Sequence, residues 1–109
     1  MKIKIYMQSL TNSHIIYLND KMRDHILVDR EKSSFNVERF KFLVLNMSKN
    51  WPDCLEDNSI VDVLSYRVVI KKDNIEKEFI FKNKFPDNIY KLNRLIDEIC
   101  EEYKNDRDI

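Results

Sequence analysis

Among 109 residues there is not one glycine, and that absence governs how this chain can turn. Glycine takes positive φ at no steric cost, so without it tight turns fall to asparagine and aspartate, the other side chains that tolerate the left-handed region. The same absence removes every glycine-rich phosphate loop and the dinucleotide-binding fingerprint. Turns are therefore sought at Asn and Asp between apolar runs, and the most definite is Asp73-Asn74.

A two-residue turn at that point sets Lys72 opposite Ile75 and fixes every later pair of the hairpin over residues 60–82. Val68 then faces Phe79 and Tyr66 faces Phe81 on one side, while Lys71 meets Glu76 on the other. Apolar pairs on one face and opposite charges on the other describe a half-buried sheet. The chain begins in the same manner, with Ile3, Ile5 and Met7 alternating with Lys2, Lys4, Tyr6 and Gln8. Thr11-Asn12-Ser13 reads as a turn, and residues 14–18 return antiparallel in a register left open because both faces are apolar. Residues 19–24 form a polar break, 25–28 a short third strand, and 29–32 a charged loop.

The first helix follows Ser33-Ser34, with Ser34 or Asn36 as its cap and Glu38 suited to the helix dipole. Phe40, Leu43, Val44, Met47 and Trp51 recur on one helical face, and Pro52 requires the helix to have ended. Residues 53–59 read as an acidic connection. Phe85-Pro86-Asp87-Asn88 opens the last helix, in which Ile89, Leu92, Ile96, Ile99 and Tyr103 form one stripe. The expected fold is a single α+β domain over residues 1–109. It has an antiparallel sheet of four to five strands with two helices on one face, in the order ββ(β)αββα. Its core is expected at Ile3, Ile5, Phe40, Val44, Met47, Tyr66, Val68, Phe79, Phe81, Leu92, Ile96 and Ile99.

Catalysis requires a nucleophile beside a base, paired carboxylates or a metal, and the inventory is thin. His14 and His25 lie in or next to strands, without the context of a triad or of an i, i+4 metal pair. Cys54 stands among Asp53, Glu56 and Asp57, whose carboxylates raise a thiol pKa and so work against a nucleophilic role. That acidic loop also lacks the ligand spacing and the glycine of a calcium loop. Cys54 and Cys100 are too far apart in sequence for a zinc or redox motif and read as reduced thiols. We expect no catalytic residue, no metal and no cofactor. The N-terminus alternates instead of forming the apolar stretch of a secretory signal, and no run reaches the roughly 18 apolar residues of a membrane span. The expectation is a soluble cytoplasmic protein without a membrane partner, monomeric or homodimeric.

Formal net charge is zero, so electrostatic recognition has to come from local patches. Residues 60–84 carry six basic residues against four acidic ones, and residues 97–109 carry six acidic against two basic. Asp97, Glu98, Glu101 and Glu102 fall off the apolar stripe of the last helix and face water. Like charges at i, i+4 cost a few tenths of a kcal/mol, a cost that an acidic docking face for a protein partner would explain.

The order hairpin, helix, hairpin, helix, with Tyr66-x-Val68-x-Ile70, a short turn, Phe85-Pro86 and the closing Leu92 to Ile96 pattern, resembles the emfourin family. Those are small bacterial inhibitors of thermolysin-like metalloproteases, so the resemblance implies an α+β fold and an inhibitory activity without assigning it to residues. The sequence reading is accordingly a non-enzymatic protein-binding module: an inhibitor, an immunity protein or a phage-borne or mobile-element antagonist of a defence enzyme. The alternatives are a nucleic-acid-binding module using the basic 60–84 hairpin, and an enzyme whose site is not recognisable in sequence.

Overall fold

The computed structural model describes residues 1–59 and 64–108, with side chains as far as 101. Its elements are β1 (Lys2–Ser9), β2 (Ser13–Leu18), β3 (Ile26–Val28), β4 (Glu31–Ser33), α1 (Val37–Ser48), β5 (Cys54–Glu56), β6 (Leu64–Lys72), β7 (Ile75–Lys82) and α2 (Ile89–Asp108). The strands form one seven-stranded mixed sheet in the order β4-β3-β2-β1-β6-β7-β5. The three longest strands, β1, β6 and β7, lie side by side in its interior, and β1 pairs antiparallel with both β2 and β6.

Strand alternation sorts the side chains into two faces. Val28, Ile16, Ile5, Val68 and Phe79 stand in one row across five strands, and Leu18, Ile3 and Ile70 in the next. Both rows are buried, in one cluster with Phe40, Val44 and Met47 of α1 and Leu92, Leu95, Ile96 and Ile99 of α2. The two helices therefore cover the same face of the sheet. All twelve core positions expected from the sequence are buried, and the β6–β7 register is the expected one, including Lys71 with Glu76. The Trp51 indole stands nearly perpendicular to the rings of Phe79 and Phe81, at centroid distances of 5.4 and 5.3 Å.

Asn36 is the cap of α1, its side chain accepting a hydrogen bond from Arg39 N at 2.8 Å. Phe35 and Phe40, both buried, occupy the positions of a hydrophobic staple around that cap. Among the described residues positive φ occurs at Asp29, Arg30, Asp73 and Asn83. Three of the four are the Asn or Asp residues that a glycine-free chain must use, and Arg30 is the exception.

The sheet is larger than the four to five strands expected and not wholly antiparallel. Residues 29–32 are not a loop: Asp29-Arg30 is a two-residue turn, φ 51° and 73°, that pairs Val28 with Glu31 and makes β3–β4 a hairpin. Asp29 is secured there because its carboxylate accepts from Ile15 N at 2.9 Å while its own N–H donates to Ile15 O at 2.8 Å. The acidic connection also contains a strand, since β5 runs parallel to β7 with Cys54 beside Ile80 and Leu55 beside Phe81. The observed order is thus ββββαβββα. Both additions are three-residue edge strands, short enough to offer little template for further pairing. The expected start of the second hairpin, with Ile60 and Asp62, lies outside the described residues, as do the side chains of Glu102 and Tyr103.

Candidate binding surface

With both helices on one side, the opposite face of the sheet has no covering layer among the described elements. Its occupants follow from the register. Leu27, Tyr17, Lys4, Val69 and Glu78 form one row, and Ile15, Tyr6, Arg67, Ile80 and Cys54 the neighbouring one. On β2 this is the second apolar face that left the register open in the sequence. Ile15 and Ile80 are each 40% exposed, and Leu10, in the β1–β2 turn, is 78% exposed. These are large apolar side chains on a surface, held together by a rigid sheet.

Two shallow depressions meet at Tyr6. One, of about 240 Å³, is lined by Lys4, Tyr6, Ile15, Tyr17, Leu27 and Arg30. The other, of about 550 Å³, runs from Tyr6 and Leu10 past Ser65 and Arg67 to Ile80 and Lys82. Each tyrosine carries a cation over its ring: the Lys4 ammonium lies 5.3 Å from the Tyr17 centroid, and the Arg67 guanidinium 5.5 Å from that of Tyr6. Arg67 is further fixed by Glu78, which accepts from its Nε at 3.1 Å and its Nη2 at 2.7 Å. That hydrogen bond raises the guanidinium pKa still further. Across the sheet Lys82 lies 4.0 Å from Glu56. Among the described residues Lys4 and Arg30 have no carboxylate partner, so the smaller depression keeps uncompensated positive charge at its rim.

The acidic residues singled out in the sequence are on the helical side. Asp97 and Glu101 are exposed on α2. Glu98 is engaged with α1, accepting from Arg39 Nη1 at 2.6 Å and Nη2 at 3.1 Å, a two-pronged ion pair that ties the helices together. Asp97 acts inward as well, because its charge adds to burial in pushing the Tyr66 hydroxyl up to about 12. The side chain of Glu102 lies outside the described residues.

His14 and His25 are each bonded to a neighbouring aspartate, Asp29 at 2.9 Å and Asp24 at 2.7 Å. Among the described residues no three His, Cys, Asp or Glu side chains converge on a possible metal position. Cys54 is an exposed thiol on β5, and Cys100 is partly buried on α2. Asp57 turns its carboxylate onto Ser59, whose hydroxyl and amide hold its pKa down. No described helix is long and apolar enough to cross a membrane.

Sequence reasoning identified Lys4 and Tyr6 as the outer face of β1 but did not join them to Tyr17, Ile15, Arg67 and Ile80. The signal available was the double-sided apolar character of residues 14–18. Comparison with protein-family models, with curated proteins and with solved structures finds no match for the chain.

Proposed function

We propose that this protein is a non-enzymatic binding module, an inhibitor or antagonist that engages a protein partner through the helix-free face of its sheet. The observation that supports this reading most is the apolar and aromatic patch of Tyr6, Ile15, Tyr17, Leu27 and Ile80, rimmed by Lys4, Arg30 and Arg67. Interface hot spots are enriched in Tyr, Trp and Arg around a desolvated apolar centre with a polar rim. The charge left at Lys4 and Arg30 selects a partner that presents an apolar side chain flanked by Asp or Glu. Inhibition of a thermolysin-like metalloprotease, the activity implied by the emfourin resemblance, is one form such binding would take.

A protein partner is favoured over single-stranded nucleic acid. Bases bind by stacking on open aromatic faces, whereas both tyrosines here already carry a cation on the ring and the other apolar side chains of the patch, Ile15, Leu27 and Ile80, are aliphatic. Immobilised protein should capture one partner from extracts of the native host, and the Ile15→Asp variant should lose it while Asp97→Lys keeps it. Salt-sensitive retention on an oligonucleotide column, abolished by Arg67→Ala and Lys4→Ala, would overturn the reading in favour of nucleic acid.

A further inference from the structure

The helical side carries a second surface, independent of the sheet face. Arg39 near the start of α1 reaches Glu98, and Met47 O near its end accepts from Asn88 Nδ2, just before α2. The helices therefore lie antiparallel. Between them is a groove of about 370 Å³, lined by Phe42, Leu43, Met47, Lys91, Arg94 and Leu95 among others. Phe42 is 66% exposed, and Tyr90, at the start of α2, is 50% exposed with the Arg94 guanidinium 5.6 Å from its ring centroid. A phenylalanine with two thirds of its surface in water beside an apolar groove is a feature that a covering partner would explain.

Lys91 and Arg94 line this groove, and the charges that follow them along α2 identify the occupant. Along the outer stripe of α2, Lys91 and Arg94 come first and Asp97 and Glu101 follow, all four exposed. None has an ion-pair partner among the described side chains. A stripe positive at one end and negative at the other complements itself when a second copy lies antiparallel. A two-fold axis close to Ile96 brings Lys91 within reach of Glu101 and Arg94 within reach of Asp97, and symmetry makes each contact twice. A ligand of one charge sign would satisfy half the stripe and be repelled by the other half. The same arrangement relieves the like-charge spacing of Asp97 with Glu101, which costs stability in a lone helix.

We infer that the protein forms a two-fold homodimer through α1 and α2, with antiparallel α2 helices joined by Lys91–Glu101 and Arg94–Asp97 pairs and Phe42 covered by the second copy. This leaves the open face of the sheet on the outside of each subunit, free for another partner.

The experiment is analytical ultracentrifugation of the full chain and two charge-reversed variants, with circular dichroism to verify folding. Wild type should sediment as a dimer of the 13.3 kDa chain and dissociate toward monomer on dilution and at high salt. Lys91→Glu with Arg94→Glu makes the stripe wholly acidic, and Asp97→Lys with Glu101→Lys makes it wholly basic, so each variant alone should be monomeric. An equimolar mixture of the two should restore the dimer, because every reversed residue then meets its complement. A wild type that stays monomeric at every concentration, or a dimer unaffected by either reversal, would overturn the inference. A dimer abolished by Ile15→Asp instead would assign self-association to the sheet face and also overturn it.

Discussion

The indole N–H of Trp51 donates to Asn88 Oδ1 at 2.6 Å, while the amide of the same Asn88 donates to Met47 O at 2.8 Å. One side chain ahead of α2 thereby satisfies a carbonyl near the end of α1 and holds the indole that packs perpendicular to Phe79 and Phe81. The link explains why a tryptophan just beyond a helix can belong to the core: its apolar body is buried and its polar tip has a partner. Asn88→Ala should lower unfolding free energy by about 1–3 kcal/mol, the cost of leaving partly buried groups unpaired. Combined with Trp51→Phe it should cost less than the sum of the two, since the substitutions share a bond. Denaturant melts of the double-mutant cycle measure this.

Phe79→Ala and Ile96→Ala should each cost about 2–5 kcal/mol, because both side chains fill the layer between sheet and helices. Lys71→Ala should cost about 0–1 kcal/mol, the range of an exposed cross-strand pair. Equilibrium unfolding in urea ranks the three. A result placing Lys71→Ala first would contradict the observed faces of the β6–β7 hairpin.

The parts of the fold legible in sequence are those where one cause dominates. Asp73-Asn74 fixes a register by turn length, and the alternation around it assigns the faces, so every pair from Lys72–Ile75 to Tyr66–Phe81 could be read in advance. The β3–β4 hairpin was hidden because its turn uses Arg30 at positive φ and because Glu31-Lys32-Ser33 has no β-forming pattern. It is held by Ile15 and the Asp29 side chain, contacts distant in sequence. β5 was hidden for a related reason: three residues in parallel pairing derive their conformation from β7. The candidate surface was half legible, since Lys4 and Tyr6 declared themselves as an outer face. Tyr17 and Ile15 could not be joined to them, because a strand apolar on both sides does not reveal which side is covered.

Burial, with the Asp97 charge in support, pushes Tyr66 up to about 12 from an ordinary value of 10.0. The unfolded chain therefore releases this proton first as pH rises, and between those two values the folded state holds more protons than the unfolded one. Stability contributed by the neutral hydroxyl is complete below pH 10 and is lost as pH climbs toward 12. Wild type should lose stability in that window relative to Tyr66→Phe, and tyrosinate absorbance should show one residue titrating late. Parallel stability curves for the two proteins would contradict the burial account.

On the sheet face, Ile15→Asp should weaken capture of the partner by about 2 kcal/mol or more, as loss of an anchor at an interface centre does. Because Ile15 is substantially exposed, the melting curve should change little. Lys4→Ala should weaken the same complex more at low salt than at high salt, since its contribution is steering and rim charge. Titration calorimetry at two ionic strengths separates these effects.

The most direct test of the sheet face as the binding surface is photo-cross-linking in the native host, with Ile15→p-benzoylphenylalanine on that face and Asp97→p-benzoylphenylalanine on α2. The account predicts that the probe at position 15 joins one protein of different mass, while the probe at position 97 joins only a second copy of this chain. Cross-links to a foreign protein from position 97 alone, or to nucleic acid from position 15, would contradict it.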